Sequence, residues 1–459
     1  MHSIITILPA RATRRFAGAA GLVAALTFAA APAHAQDKAT LDLLVKKGFI
    51  TQAEEDSLAK SAAIVVNPKE AAVKKLQIEG LLQIQYDWLT TQDKGPAAIS
   101  PPATNQFSVR RAYFGAIADL GNGWTGEALF DFAAGPQTSA APQAQATQNN
   151  FEKIIISKKF DDWGTATAGF QKVQWAQEEN TPSAQLKTIE RSIATNYFDG
   201  AWGGSTTGRL GFGNRHTGLF WSGVVPAVDG LYYGAGLTNG IQSTVNFGNS
   251  GAGVAAYNEF AGWASLGYSG KWGDFGYKVG VNAGYAGDAN SVSGLPGALG
   301  FNQNNSIIGY NPYATLTYGD FALAAEFLQA RVQNGRQSGA GAAAVYSNAS
   351  PYGLNITPSY KINSQWEIAA KYSYLSTNGR GTQINPVDRN AQNTFGTVSY
   401  DNAWSGYLGV NYYIIGYDLK ISAGYEYTQF YDRQVAVGGN FNGPRANVNG
   451  VRTQIQLLF

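Results

Sequence analysis

The chain has 459 residues and no cysteine; 14% of its residues are charged, 13% are aromatic and 55 are glycine. The lack of cysteine excludes disulfides, thiolate metal sites and thiol nucleophiles, and a formal net charge of +2 gives no argument for a nucleic-acid partner. So many aromatic and glycine residues with so few charges are unusual in a soluble enzyme. This composition fits a barrel with an apolar outer wall, a polar interior and aromatic belts. A soluble, secreted all-β protein is the alternative.

Residues 1–35 have the pattern of a secretory signal peptide. Arg11, Arg14 and Arg15 precede an apolar stretch at residues 16–30, and Ala33-His34-Ala35 form a small-x-small cleavage site. The apolar stretch is shorter than the ~20 residues that a membrane-spanning helix needs, which argues against an uncleaved anchor. We therefore expect the mature chain to begin at Gln36, with a net charge of about −1 because the three arginines leave with the leader.

Residues 36–75 predict a short helical segment in the periplasm. Leu41 and Leu44 belong to an apolar helix face that ends at Gly48. Thr51 and Glu54 fit a capping box that opens a second short helix. The heptad signal is too short to prefer a trimer-forming coil or a cell-wall contact over a simple linker.

From Leu76 onwards apolar residues recur at every second position, as they do in β-strands. Aliphatic and aromatic side chains alternate with amides and charged groups in residues 76–88, 275–285, 366–374, 418–427 and 451–459. In a soluble sandwich the apolar face would be the core, whereas in a barrel it faces lipid and the polar residues line water. The last strand, in which Leu458 is an apolar exception on the polar face, resembles the closing strand of bacterial outer-membrane barrels. By that resemblance it would pair with the first strand, and Phe459 would be the signal for the assembly machinery.

Short and long connections alternate between the predicted strands. Gly121-Asn122-Gly123, Gly273-Asp274 and Tyr318-Gly319-Asp320 predict tight hairpins, whereas polar stretches such as residues 333–348 and 431–447 predict long loops. Residues 76–459 give about 24 residues for each strand and its connection if there are 16 strands, and roughly 10 residues cross a membrane. We therefore predict an all-β fold, a transmembrane antiparallel β-barrel of about 16 strands that encloses water. Counts of 14 or 18 strands fit nearly as well.

Several stretches resemble the phosphate-selective porin O and P family over most of residues 76–459. They are residues 107–115 (FSVRRAYFG), 122–124, 127–133, 159–172 (KFDDWGTATAGFQK), 188–192 (TIERS), 409–413 and the last strand. The resemblance implies a trimeric, water-filled porin of the outer membrane, with a loop folded into each barrel and basic side chains that guide anions such as phosphate.

The candidate pore loop lies near residues 171–199 and carries both signs of charge. The basic candidates for the anion path are Arg110, Arg111, Lys159, Lys172, Lys187 and Arg191, and the acids are Glu178, Glu179, Glu190 and Asp199. Members of the family with strong phosphate preference carry ladders of basic residues along the pore. A mixed constriction instead predicts a general porin with a transverse field and weak anion preference. Solvated loop positions or salt bridges between loops are the alternative for each basic residue.

Two other functions remain open. His216 could serve a barrel enzyme, although its context matches no catalytic triad, and the barrel could be a plugged, adhesin-like structural protein. We expect no metal and no cofactor, because neither metal-ligand spacing nor a phosphate-cradling glycine loop appears in the sequence. The expected partners are two further copies in a homotrimer, outer-membrane lipid, the barrel-assembly machinery and small anions or other small solutes, without nucleic acid.

Overall fold

The computed structural model describes residues 63–64, 73–93, 104–133, 150–199, 210, 212–213, 215–239, 260–287, 306–338, 345–384, 399–435 and 441–459. The predicted signal peptide and most of the predicted helical segment at residues 36–75 lie outside these ranges. The chain divides into residues 1–78 and 79–459. In the first unit a short strand, Ala63–Ile64, pairs with Leu76 and Gln77.

Sixteen antiparallel strands of the described residues form a closed barrel. In chain order they are β1 Lys75–Asp93, β2 Thr104–Gly121, β3 Trp124–Asp131, β4 Asn150–Phe160, β5 Gly164–Lys172, β6 Arg215–Val224, β7 Leu231–Asn239, β8 Phe260–Trp272, β9 Phe275–Ala286, β10 Ile307–Tyr318, β11 Phe321–Ser338, β12 Tyr352–Lys361, β13 Trp366–Ser376, β14 Tyr400–Ile415, β15 Leu419–Gln434 and β16 Ala446–Leu458. Each strand pairs with the next, and β16 pairs with β1 from Ala446 opposite Asp93 to Leu458 opposite Leu81. The prediction of about 16 strands is confirmed, and counts of 14 and 18 are excluded.

The strands bury their polar face, as expected for a barrel in lipid. In β1, Gln83 and Gln85 are each 1% exposed, whereas Leu82 and Ile84 are 41% and 47% exposed. The same inversion occurs in β13, β15 and β16, where the buried side chains include lysine, arginine and glutamine. The polar residues therefore line the interior and the aliphatic residues face outwards. No helix in the described ranges is long and apolar enough to span a membrane.

The predicted tight hairpins lie between β2 and β3, β8 and β9, and β10 and β11. Asn122 and Gly123 have φ values of 53° and 78°, the left-handed backbone that a two-residue hairpin favours and that asparagine and glycine adopt readily. Two predicted loop boundaries are wrong, because β11 continues to Ser338 and β15 to Gln434. Polar side chains hid these strand ends, although the backbone still pairs with Val345–Ala349 and Phe441–Gly443.

The end of the chain is built into the seam between β16 and β1. The backbone N–H of Phe459 donates to the carbonyl of Gly80 at 3.0 Å, and the N–H of Gly80 donates to the carbonyl of Phe459 at 2.8 Å. A Cβ at Gly80 would lie 2.3 Å from the Phe459 ring. The terminal ring, 53% exposed on the outer face, therefore needs a glycine beneath it.

Candidate functional site

The connection between β5 and β6 is described at residues 173–199, and its contacts place this part inside the barrel. We call residues 173–199 the pore loop. It contains helix α1 (Gln177–Asn180), a 3-10 turn (Ser183–Gln185) and helix α2 (Ile193–Asp199). It starts slightly later than the sequence indicated, because β5 extends to Lys172.

A carboxylate from the barrel wall holds the start of the pore loop. Ala176 precedes α1 and has no side chain that could cap the exposed backbone N–H groups. Glu326 of β11 takes this role by accepting from the N–H of Gln177 at 2.7 Å and from that of Glu178 at 3.3 Å. Glu326 is itself fixed by the side-chain amide of Asn355 at 2.9 Å. The fold of the loop thus depends on a residue almost 150 positions further along the chain.

Apolar packing holds the base of the loop. Trp175 and Phe212 are fully buried and meet edge to face with their ring centroids 4.9 Å apart. Phe212 also contacts the ring of Trp263 in β8, with the centroids 5.0 Å apart. A Cβ at Gly309 would lie 2.7 Å from both the Trp175 and the Phe212 rings. Gly309 in the barrel wall therefore leaves room for Trp175 and Phe212, the aromatic residues of the connection between β5 and β6.

Buried ion pairs join the loop to one side of the wall. Arg110 of β2 donates to both carboxylate oxygens of Glu190, at 2.6 and 2.9 Å, and their side chains are only 3% and 5% exposed. Burial by itself raises the pKa of Glu190, but the charge and hydrogen bonds of Arg110 outweigh it and hold that pKa well below its ordinary value. Lys371 of β13 donates to Glu178 at 2.9 Å and to the backbone carbonyl of Glu190 at 2.6 Å. The charged groups of the loop and of the wall therefore neutralise one another and satisfy one another's hydrogen bonds.

The tip of the loop is fixed by two lysines. Lys420 of β15 donates to the backbone carbonyls of Ala184 and Leu186, at 3.2 and 2.9 Å. Lys187 of the loop lies 2.7 Å from Glu367 of β13. Burial lowers the pKa of Lys187, but Tyr417 and Glu367 outweigh it, so the pKa is raised and the ammonium is retained.

One acid on the other side of the loop binds two predicted path residues. Glu179 lies 2.8 Å from the ammonium of Lys172 and 2.8 Å from the guanidinium of Arg191. Burial raises the pKa of Glu179, but the charges of Arg191 and Lys172 outweigh it and lower the pKa to about 2. The guanidinium of Arg191 also donates to the backbone carbonyl of Thr181 at 3.1 Å. These cations therefore stabilise the loop and do not stand as open charges.

A cavity of about 490 Å³ lies between the pore loop and the wall formed by β16 and β1–β6. Its lining includes Glu79 and Leu458, at the seam between β1 and β16, and Lys172 and Arg215, where the pore loop joins the wall. Leu458, the apolar exception in the last strand, lines this cavity. On the other side, a gap of about 90 Å³ separates the loop from β10–β12. The pore loop thus lies between a smaller cavity and a larger one.

The predicted site residues fall into separate places. Lys172 lines the cavity, Arg191 lies beside it on Glu179, and Lys187 is at the loop tip. Arg110 and Arg111 are both 3% exposed, and Arg111 donates to Gln83 at 2.7 Å. Neighbouring residues in a regular strand face opposite sides, so β2 departs from that alternation here to bring both arginines inwards.

Lys159 is an exposed residue at the end of β4, beside the turn between β4 and β5. Sequence reasoning missed four charged residues that line the cavity, namely Glu79, Glu152, Lys153 and Arg215. Glu79 was recognised on the polar face of β1 but not as a site residue. The apolar run Ile154-Ile155-Ile156 hides the alternation of β4, and this obscured Glu152 and Lys153.

His216 is enclosed. It is 1% exposed, its ring centroid lies 5.1 Å from that of Trp263, and its Nδ1 lies 3.4 Å from the backbone carbonyl of Asn239. In the part of the chain that the structure describes, no group of three or more histidine, aspartate or glutamate residues could hold a metal ion.

The sequence profile of the family described as "Phosphate-selective porin O and P" matches residues 82–459. The chain belongs to this family. It is therefore a porin, an outer-membrane channel with a barrel fold. No curated protein matches the sequence.

Solved structures with similar folds include three outer-membrane proteins. The outer membrane channel DcaP of Acinetobacter baumannii is 10% identical, with 86% of this chain and 100% of that chain covered and a TM-score of 0.51. The anion-selective porin from Comamonas acidovorans is 12% identical, with 84% and 99% covered and a TM-score of 0.51. Salmonella typhi OmpF, in a complex with daunomycin, is 14% identical, with 84% and 98% covered and a TM-score of 0.52. At these identities the likeness concerns the fold.

Proposed function

We propose that this porin is a passive diffusion channel for small solutes with weak anion preference, and that solutes pass through the cavity beside the pore loop. The observation that carries the proposal is that the loop leaves part of the lumen open. Buried ion pairs with Arg110 of β2 and Lys371 of β13 hold the loop in place, while a cavity of about 490 Å³ remains between the loop and the wall. A plugged barrel would leave no such space.

The charges along this passage support weak selection. Lys153 lies 2.7 Å from Glu127, Lys172 lies 2.8 Å from Glu179, and Arg215 forms an ion pair with Glu152. An ion that passes such a pair meets a dipole, whose potential falls more steeply with distance than that of a single charge, and salt screens it further. We therefore expect a transverse field at the constriction and no tight phosphate site.

We further propose that the porin matures by cleavage before Gln36, inserts through recognition of Phe459, and assembles as a homotrimer. The signal-peptide pattern at residues 1–35 supports the first step. The fit of the terminal ring over Gly80 supports a role of Phe459 in closing the barrel. Family membership supports the trimer.

Planar-bilayer recording of the purified porin tests the channel proposal. We expect stable, ohmic conductance and a reversal potential that indicates mild anion preference in a KCl gradient at low salt. Absence of conductance would favour a plugged barrel. Block of the chloride current by low concentrations of inorganic phosphate would show tight phosphate binding and refute weak selection.

A further inference from the structure

A row of four residues across β7–β10 forms a flat patch on the inner wall. Tyr232 pairs with Gly267, Gly267 with Gly280, and Gly280 with Tyr313. The two tyrosine hydroxyls meet above the glycines, 2.8 Å apart. A Cβ at Gly267 would lie 2.2 Å from the Tyr232 hydroxyl, and one at Gly280 would lie 2.6 Å from the Tyr313 hydroxyl. The rings can lie against the wall only because both central residues are glycine.

A lysine lies beside this patch without a counter-charge. Lys278 is two residues from Gly280 in β9 and therefore shares its face. Its ammonium lies 5.2 Å from the centroid of the Tyr232 ring, an attractive cation–π contact. Among the described residues, no carboxylate lies within ion-pair distance of Lys278, and the side chain is partly exposed. The Tyr232 ring positions the ammonium of Lys278 but does not neutralise its positive charge.

Most other inward-facing cations in the described ranges are neutralised or enclosed. Carboxylates pair with Arg110, Lys153, Lys172, Lys187, Arg191, Arg215, Lys371 and Arg452. Arg111 and Lys420 are only 3% and 2% exposed. Lys278 differs from these residues because it is both accessible and unpaired.

We propose that Lys278, Tyr232 and Tyr313 form an anion-binding site on the wall, the lysine–tyrosine site, which selects small oxyanions. The inference rests on the proposed function as a channel, and it assigns the anion preference to this wall and not to the pore loop. The ammonium supplies the charge. Tyr232 can donate its proton to Tyr313 or to the backbone carbonyl of Val279, 3.4 Å away. When it donates to Tyr313, the proton of Tyr313 is available to an oxyanion oxygen. Ser265, two residues from Gly267 in β8, donates to the side chain of Gln174, which lines the cavity beside the pore loop, so the site borders that cavity.

The charge is tested with Lys278→Met in planar bilayers at about 0.1 M KCl. We expect the chloride-to-potassium permeability ratio to fall about threefold. A unit charge about 7 Å from an ion in water contributes roughly the thermal energy, screening with a Debye length of about 10 Å about halves this, and the effects on chloride and potassium are opposite. The difference should fade at about 1 M, where the Debye length is about 3 Å. The matched control, Lys361→Met, removes the same charge at the exposed end of β12 and should leave the ratio close to the wild-type value, because solvent screens a charge at that position.

The hydroxyls are tested with the double variant Tyr232→Phe with Tyr313→Phe, which keeps both rings and Lys278. We expect the chloride-to-potassium ratio to stay as in the wild type and the permeability to inorganic phosphate relative to chloride to fall. An unchanged phosphate-to-chloride ratio would refute oxyanion selection by the site. Each variant is first checked for folding by its mobility shift between boiled and unboiled samples.

The outcomes separate this inference from the proposed function. If wild-type porin conducts and Lys278→Met keeps the wild-type ratio, the lysine–tyrosine site is refuted while the channel stands. The site is also refuted if Lys361→Met lowers the ratio as much as Lys278→Met does. If wild-type porin does not conduct, the proposed function itself fails.

Discussion

Removing one partner of the buried pair between Arg110 and Glu190 should release the pore loop. In Arg110→Met, Glu190 loses two charge-assisted hydrogen bonds of 2.6 and 2.9 Å while its side chain stays only 5% exposed. The amide of Gln85, at 2.9 Å, is a neutral partner that cannot replace the lost charge. Breaking a buried ion pair on one side costs about 3–5 kcal/mol. At the lower value the equilibrium constant for seating the loop falls roughly 150-fold.

The assay is the current noise of single open channels, together with limited proteolysis of the pore loop in the folded barrel. We expect Arg110→Met to flicker between conductance levels and to be cleaved within residues 173–199. The double variant Arg110→Met with Glu190→Gln removes the buried charge and should recover most of the quiet, protected state. A single variant as quiet and protected as the wild type, or a double variant no better than the single one, would refute the reasoning.

Three further predictions concern pH, assembly and maturation. The pKa of Glu179 is lowered to about 2 in the folded pore loop. The stabilisation that Glu179 gives to the loop is therefore fully present above its unfolded pKa of about 4.3 and is lost as pH falls through about 2. Single-channel recordings should show a steady conductance level from about pH 8 to 5 and unstable levels below about pH 4. Deletion of Phe459 should reduce the amount of heat-modifiable barrel in outer-membrane fractions, and Gly80→Val should do the same because its side chain would meet the terminal ring; normal levels of both variants would contradict this. N-terminal sequencing of the exported porin should begin at Gln36.

The sequence suggests the double variant Lys172→Glu with Arg191→Glu as a test of ion selectivity. In the structure this variant would disturb the pore loop as well. Both residues bind Glu179, so two glutamates in their places would bring three acids together. The loop would lose its seating, and a changed reversal potential would not report on the ion path. A place for these residues on the ion path stays a prediction, and Lys278→Met with its control Lys361→Met is the cleaner comparison.

The sequence by itself determined the barrel and the orientation of its faces. These properties follow from alternation along single strands, where Leu82 and Ile84 alternate with Gln83 and Gln85 whatever the rest of the chain does. Chain length was compatible with about 16 strands but nearly as well with 14 or 18, and the closed pairing of the strands in the structure decided the number. The strand ends in β11 and β15 were misplaced because backbone pairing continues where side chains no longer alternate.

Only the tertiary structure decided which charges are open to a solute. The partners of the pore loop come from distant strands, with Arg110 and Glu190 separated by 80 positions, Lys187 and Glu367 by 180, and Lys371 and Glu178 by 193. No local pattern encodes such pairs. Lys278 is one of several polar residues in an alternating stretch, and nothing in the sequence distinguishes it from the others. Its lack of a counter-charge can be seen only once the neighbouring strands are in place. A charge acts on a passing ion according to its neighbours in space, and closure of the barrel sets those neighbours.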